Sequence, residues 1–243
     1  MLRWAGARLG RWLSHRTHDH GTACPTPIDL LRRTLQPADV LLVEGDTRVS
    51  VAIKYLTQST WSHAALYVGP AGGDERCFVE ADIVDGVRRT GFETYEGLHT
   101  RICRPVGLKP EEIRRVVECA LARVGHTYDL KNVFDLVRYL VPTPPVPVRW
   151  RRRMLTLGSG DPTRAICSTL VAQCFQTIRY PILPGIAHGT GTAPDQRGFP
   201  DDPYRVRHHS LFVPRDFDVS PWFLVVKPTI EQGFDFHRLR WTE

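Results

Sequence analysis

The order in which two kinds of apolar pattern occur is what most constrains the fold of this chain. Short apolar segments of strand length come first: Asp39–Glu44, Ser62–Gly69, Cys77–Ala81, Gly86–Arg89 and Arg101–Arg104. Turn-forming residues separate them, such as the glycine-rich stretch Pro70–Asp74, so each reads as a strand. Helical spacing takes over afterwards. Pro110 opens a helix at the first helical position, where its missing N–H is no loss. Ile113, Val116, Val117, Ala120 and Leu121 form its apolar face, and Gly125 ends it. Leu130, Val133, Phe134, Val137 and Leu140 predict a second helix over 130–140, and a third runs from Cys167 to Ile178. A block of strands followed by a block of helices is α+β, with an antiparallel sheet and packed helices, rather than alternating β/α.

The remaining stretches complete the map. Residues 48–58 predict a short helix with Val51, Ile53 and Leu56 apolar. Val141–Val148 carries four prolines and cannot form regular structure. Residues 181–210 read as a long irregular loop, and Val213–Phe217 and Phe223–Val226 as short late strands or extended pieces. No internal repeat is present. Residues 1–16 can form an amphipathic helix, with Leu2, Ala5, Leu9, Trp12 and Leu13 on one side and Arg3 and Arg11 opposite. Gly6 and Gly10 weaken it by up to about 1 kcal/mol each. Residues 14–27 read as a linker, and the compact domain begins near Leu30. The expected organisation is a basic amphipathic segment and linker over 1–29, then one domain over 30–243.

Charge narrows the partners. The chain carries a net +6 with a pI near 9.2. Much of it sits in Arg3, Arg8, Arg11 and Arg16, and in Arg149 with Arg151, Arg152 and Arg153. Such clusters attract phosphate. No nucleic-acid-binding motif accompanies them, so nucleic acid is not expected as a partner. An anionic membrane surface is the expected one, met by residues 1–16 as an interfacial helix. A basic tail, or a helix packed on its own domain, is the competing outcome. No apolar run approaches the length of about 18 residues that a spanning helix needs. The N-terminus lacks the apolar core of a signal peptide, and Gly21-Thr22-Ala23-Cys24 is no lipoprotein box without one. The expected location is cytoplasmic, peripheral at the inner membrane. The six cysteines, Cys24, Cys77, Cys103, Cys119, Cys167 and Cys174, include no C-x-x-C pair, which argues against a zinc ribbon. Buried, reduced thiols are expected for all but Cys167.

Cys167 stands at the start of an apolar helical run, Ala165-Ile166-Cys167-Ser168-Thr169-Leu170-Val171. The first turn of a helix offers free N–H groups and the positive end of the dipole, which favour the nucleophilic thiolate. His63 opens a strand that is otherwise apolar, and imidazole titrates near neutral pH and can take a thiol proton. Glu80 lies in the next strand. If the two strands pair antiparallel, His63 and Glu80 face each other within a residue or two. A carboxylate there would orient the ring and stabilise imidazolium. Asp82, on the same face, competes for that role. Taken singly, each residue also fits a structural part. Taken together they make up a Cys–His–carboxylate site in the chain order His, Glu, Cys.

That order, with its motifs, resembles the permuted papain-like NlpC/P60 proteins of the YiiX/YebB-like type, including their bacterial lipoprotein-like members. Asp39-Val40-Leu41-Leu42-Val43-Glu44-Gly45-Asp46 and Ser62-His63-Ala64-Ala65-Leu66-Tyr67-Val68-Gly69 resemble that group's opening strands. Val79-Glu80-Ala81 with Gly86-Val87 looks like its next strand. Gly125-His126-Thr127-Tyr128-Asp129 looks like its G-x-x-Y-D turn, and Cys167-Ser168-Thr169-Leu170-Val171 like its nucleophile helix. Pro214-Arg215-Asp216-Phe217 and Pro221-Trp222-Phe223 resemble a late stretch of the lipoprotein-like members. The resemblance spans roughly residues 36–228. Ala38 departs from it, standing where the strand opening often has Gly.

The resemblance implies a circularly permuted papain-like fold and a cysteine hydrolase, amidase- or peptidase-like, with Cys167 as nucleophile, His63 as base and Glu80 as third residue. Amide, ester and thioester bonds all remain open, in a peptide or a lipid-derived substrate. A lipid acyltransferase or phospholipase-like enzyme related to lecithin:retinol acyltransferase is a second reading. A non-catalytic membrane-associated binding protein is a third. Tyr128 is a candidate oxyanion donor, with a core tyrosine as its alternative. His188 and His208-His209 have no matched acidic or thiol spacing and are read as solvated loop residues, so no metal and no cofactor are expected.

Overall fold

Val40-Leu41-Leu42-Val43 shows no alternation of polar and apolar residues, so a strand built from it must be covered on both faces. The structure is a computed structural model describing residues 25–70, 74–82, 85–126, 166–183, 185–186 and 204–240. The expected helices over 1–16 and 130–140, the proline-rich stretch 141–148, Tyr128 and His188 lie outside the described residues. In chain order the described elements begin with α1 (Ile28–Thr34), β1 (Val40–Glu44), α2 (Arg48–Thr57), β2 (His63–Tyr67), β3 (Phe78–Asp82) and β4 (Gly86–Thr90). A 3-10 turn (Phe92–Tyr95), β5 (His99–Pro105), α3 (Pro110–Leu121) and α4 (Ile166–Gln176) follow. The last part holds the short pair β6 (Gly185–Ile186) and β7 (Tyr204–Arg205), then α5 (Pro214–Asp218), β8 (Phe223–Val226) and α6 (Pro228–Glu231).

Six strands form one sheet in the order β4-β3-β2-β1-β5-β8, and every neighbouring pair is antiparallel. Both faces of β1 are covered. Val40 and Leu42 join Ala64, Leu66, Val79 and Ala81 in a core closed by Val116 and Ala120 of α3 and by Leu170, Val171 and Phe175 of α4. Leu41 and Val43 join Ala65, Tyr67, Phe78 and Ile102 in a second core closed by Leu31 and Leu35, with Phe92 and Tyr95 of the 3-10 turn. Each large apolar side chain so buried contributes roughly 1.5–3 kcal/mol. The protein is therefore an α+β assembly of an antiparallel sheet with helices on it.

Several local expectations are corrected. The stretch before Leu30 is helical from Ile28, because Leu31 must reach the second core. Val213–Phe217 is not extended. Pro214 sits at the first helical position and the Asp216 carboxylate accepts from the Val213 N–H at 3.0 Å, so the segment coils into α5. Residues 181–210 are not wholly irregular, since β6 and β7 pair within them. The third helix stops at Gln176, before the expected Ile178. α3 ends at Leu121, and Gly125, with φ of 87°, instead docks on β4 by donating to the Val87 carbonyl at 2.8 Å. The helix after β1 forms as expected, capped by Thr47, whose side chain accepts from the Ser50 N–H. Ala38 adopts a φ of 73°, a left-handed conformation that favours glycine.

Candidate active site

The segment leading into His63 is held from both sides. The Ser62 N–H donates to the Val43 carbonyl at 3.1 Å, and its hydroxyl accepts from the Gly45 N–H at 2.9 Å. A Cβ on Gly45 would displace the Ser50 hydroxyl and press on that of Ser62 at 3.0 Å. Trp61, buried, donates its indole N–H to Asp218 at 3.0 Å, while Arg101 holds the other oxygen of Asp218 at 2.7 Å and lies over the Trp61 ring. The first residue of β2 is thus pinned to the end of β1 and, through Trp61, to α5.

His63 itself is a quarter exposed on its side chain, whereas Glu80 is buried. The β2–β3 register pairs Leu66 with Val79 and Tyr67 with Phe78. Continued, it sets Glu80 opposite Ala65, two residues along from His63 on the same face, which side chains of this length can bridge. His63 Nε2 lies 2.8 Å from Glu80 Oε2. Asp82, the competing carboxylate, faces Arg88 at 3.5 Å instead. With Nε2 taken by the carboxylate, Nδ1 is left free of it, and Cys167 lies near enough for its charge to act on the ring. Cys167 is the second residue of α4 and is buried. The next residue, Ser168, donates its hydroxyl to the Phe212 carbonyl at 2.6 Å, fixing the first turn of the helix.

Two residues that the sequence reading did not single out complete the surroundings of Glu80. Tyr95 donates its hydroxyl to Glu80 Oε2 at 2.8 Å and contacts the Thr90 hydroxyl at 3.0 Å. Arg88 donates from Nε to Oε1 at 3.0 Å. Arg88 had a legible signal. The Asp85-Gly86 turn between β3 and β4 sets a register in which Glu80 and Arg88 are direct partners. Tyr95 had none, because only the return of the 3-10 turn over the sheet brings it there.

The charges follow from these contacts. Burial pushes Glu80 up, but the neighbouring His63 charge, the hydrogen bonds from His63 and Tyr95, and Arg88 outweigh it and hold the carboxyl at about 2. Burial disfavours a charged His63 ring, yet the Cys167 and Glu80 charges and their hydrogen bonds raise it well above its ordinary value. Burial, and then the Glu80 charge, keep the Tyr95 phenol protonated. The arrangement is a proton-accepting imidazole, oriented by an ionised carboxylate, beside a thiol at a helix start.

Other histidines serve structure. His208 accepts from the Ser210 N–H to cap a short turn, and His209 contacts Gln173 of α4 at 3.2 Å, so neither is simply solvated. Among the described residues no group of three or more His, Cys, Asp or Glu could hold a metal ion. No helix among them is long and apolar enough to cross a membrane.

No family model matches the sequence, and no curated protein matches it. Among solved structures, the chain is similar to the crystal structure of the metalloprotein YiiX from Escherichia coli O157:H7. The match has a TM-score of 0.46 and 15% sequence identity, and covers 79% of this chain and 96% of that one.

Proposed function

We propose that the protein is a cysteine-dependent hydrolase of amide, ester or thioester bonds on a permuted papain-like fold. Cys167 is the nucleophile, His63 its base and later acid, and Glu80 the group that orients and stabilises the imidazolium. One observation carries this reading: the His63 ring is hydrogen bonded to an ionised carboxylate at 2.8 Å, and the helix-start thiol of Cys167 lies near enough for its charge to act on the ring. The thiol proton passes to His63 as the sulfur attacks the acyl carbon. The leaving amine, alcohol or thiol takes that proton back, and water, deprotonated by His63, releases the acyl group. A purely structural Cys–His contact would not require a charged, multiply bonded carboxylate behind the ring.

The test is turnover of a panel of short peptide amides, acyl esters and acyl thioesters by the full chain and by Cys167→Ala and Cys167→Ser. Both variants should lose turnover by at least roughly 10³-fold while keeping the native circular dichroism spectrum. A broad cysteine-reactive acylating probe should label Cys167 in the native protein. Turnover in Cys167→Ala at the native rate rules the mechanism out.

A further inference from the structure

Arg88 meets Glu80 from β4, on the far side of β3 from the His63 strand. The two residues are direct partners in the β3–β4 ladder, so register itself lays the guanidinium across the carboxylate. Its Nε and Nη2 both meet Oε1, at 3.0 Å and 2.9 Å. His63 and Tyr95 both meet Oε2, each at 2.8 Å. Two bonds to one oxygen make a pivot, about which the carboxylate can still turn. The hold on Oε1 removes that freedom. The guanidinium is itself fixed, by Asp82 at 3.5 Å and by Asp85 through Nη1. Asp85 donates its N–H to Asp82 at 2.9 Å, which ties the end of the hairpin together.

We propose that Arg88 is a positioning residue for the reaction, fixing the plane of the Glu80 carboxylate so that Oε2 stays on the His63 ring. This rests on the Cys167–His63–Glu80 reading, and Arg88 acts through Glu80 rather than on the reacting atoms. Charge alone does not account for it. Against the effect of burial, the His63 charge and the hydrogen bonds from His63 and Tyr95 do more to keep Glu80 ionised than the Arg88 charge does. Any ammonium could supply a compensating charge. A fork on one oxygen, with the third nitrogen tied to another carboxylate, needs the planar guanidinium. Arg88 is also the part of this network that meets solvent, with 36% of its side chain exposed against 3% for Glu80.

Positioning and charge compensation have opposite signs at His63. The ring faces Cys167 and Glu80, and Glu80 faces His63, Tyr95 and Arg88. Against burial, Cys167 and then Glu80 raise His63 well above its ordinary value. If Arg88 sets orientation, its loss lets the carboxylate turn off the ring, and His63 releases its proton at lower pH. If Arg88 only offsets charge, its loss leaves more negative charge facing the ring, and His63 keeps its proton to higher pH.

The experiment follows the His63 imidazole by NMR across pH in the full chain, in Arg88→Ala and in Arg88→Lys, beside turnover of the amide, ester and thioester panel. In Arg88→Ala the His63 titration should move to lower pH. Its kcat should fall roughly 10- to 100-fold, the loss that follows a misplacement near 1 Å, with KM changed less than about threefold. Guanidinium chloride at millimolar concentration should restore part of that kcat, since the vacated place opens to solvent. Arg88→Lys keeps the charge without the fork and should shift His63 in the same direction by less. It also decides the matter if Arg88→Ala does not fold. A His63 titration that stays or moves to higher pH, a native kcat in Arg88→Ala, or full kcat in Arg88→Lys overturns the assignment. A native chain that turns over none of the panel overturns the Cys167 reading instead. The His63 titration needs no turnover and still reads whether Arg88 holds Glu80 on the ring.

Discussion

Glu80 accepts from His63, Tyr95 and Arg88 at once, and that saturation is what allows a buried carboxylate to stay charged. The consequence is measurable as stability. The carboxyl titrates near its ordinary 4.5 in the unfolded chain and at about 2 when folded. Its contribution is therefore present above pH 4.5 and is lost as pH falls toward 2, on the order of 3 kcal/mol in all. His63, raised in the fold, works in the other direction: its contribution is full below its ordinary value of 6.5 and fades as pH rises through the folded value. Urea unfolding midpoints followed across pH should fall steeply on the acid side, and Glu80→Gln should flatten that limb. The same substitution should lower kcat by roughly 100-fold or more with KM changed less than about threefold, since it keeps the shape but removes the charge facing imidazolium. An unchanged kcat in Glu80→Gln would take the carboxylate out of the mechanism. Tyr95→Phe tests the layer behind it. The acid limb should shift to higher pH, because one donor to the carboxylate is gone.

Among the elements, α5 is the least conspicuous and has the longest reach. It spans only Pro214–Asp218, too short to persist without its proline start and Asp216 cap. Its last residue, Asp218, bonds both Trp61 and Arg101, and Trp61 stands two residues before His63. Asp218→Ala should leave the indole N–H and the guanidinium without their acceptor and cost about 1–3 kcal/mol, read as a lower unfolding midpoint. It should also lower kcat, because the His63 strand loses its outer tether. Equal turnover in the variant would show that Ser62 alone, through Val43 and Gly45, sets the position of the ring. Asp218→Asn keeps one acceptor oxygen and should recover part of both losses.

At the scale of the molecule, the net charge of +6 and the arginines of residues 1–16 bear on where the protein resides. We propose that this segment binds anionic bilayers, with Leu2, Leu9, Trp12 and Leu13 at the acyl boundary and the arginines at headgroup phosphates. Each basic group near such a surface adds on the order of 1 kcal/mol, screened by salt. The full chain should co-sediment with phosphatidylserine-containing liposomes at low salt and release as salt rises, while a chain beginning at Pro25 should stay in solution. Equal pelleting of both would move the contact to the domain. A truncated chain that aggregates would mean that the segment packs on the domain instead.

The local chemistry of the residues by itself determined the strand block, the Pro110 helix and the helix beginning at Cys167. Period, proline position and turn residues act over a few neighbours and need no tertiary partner. It also made His63, Glu80 and Cys167 candidates, because imidazole in an apolar strand and thiol at a helix start are locally unusual. Only the tertiary structure decided that Glu80, not Asp82, meets His63. That choice depends on the β2–β3 register, which sets Glu80 two residues along from His63 on the same face. It alone decided that Tyr95 enters the site and that Pro214–Asp218 coils rather than extends. It alone packed α3 against α4, helices distant in the chain that no local pattern connects.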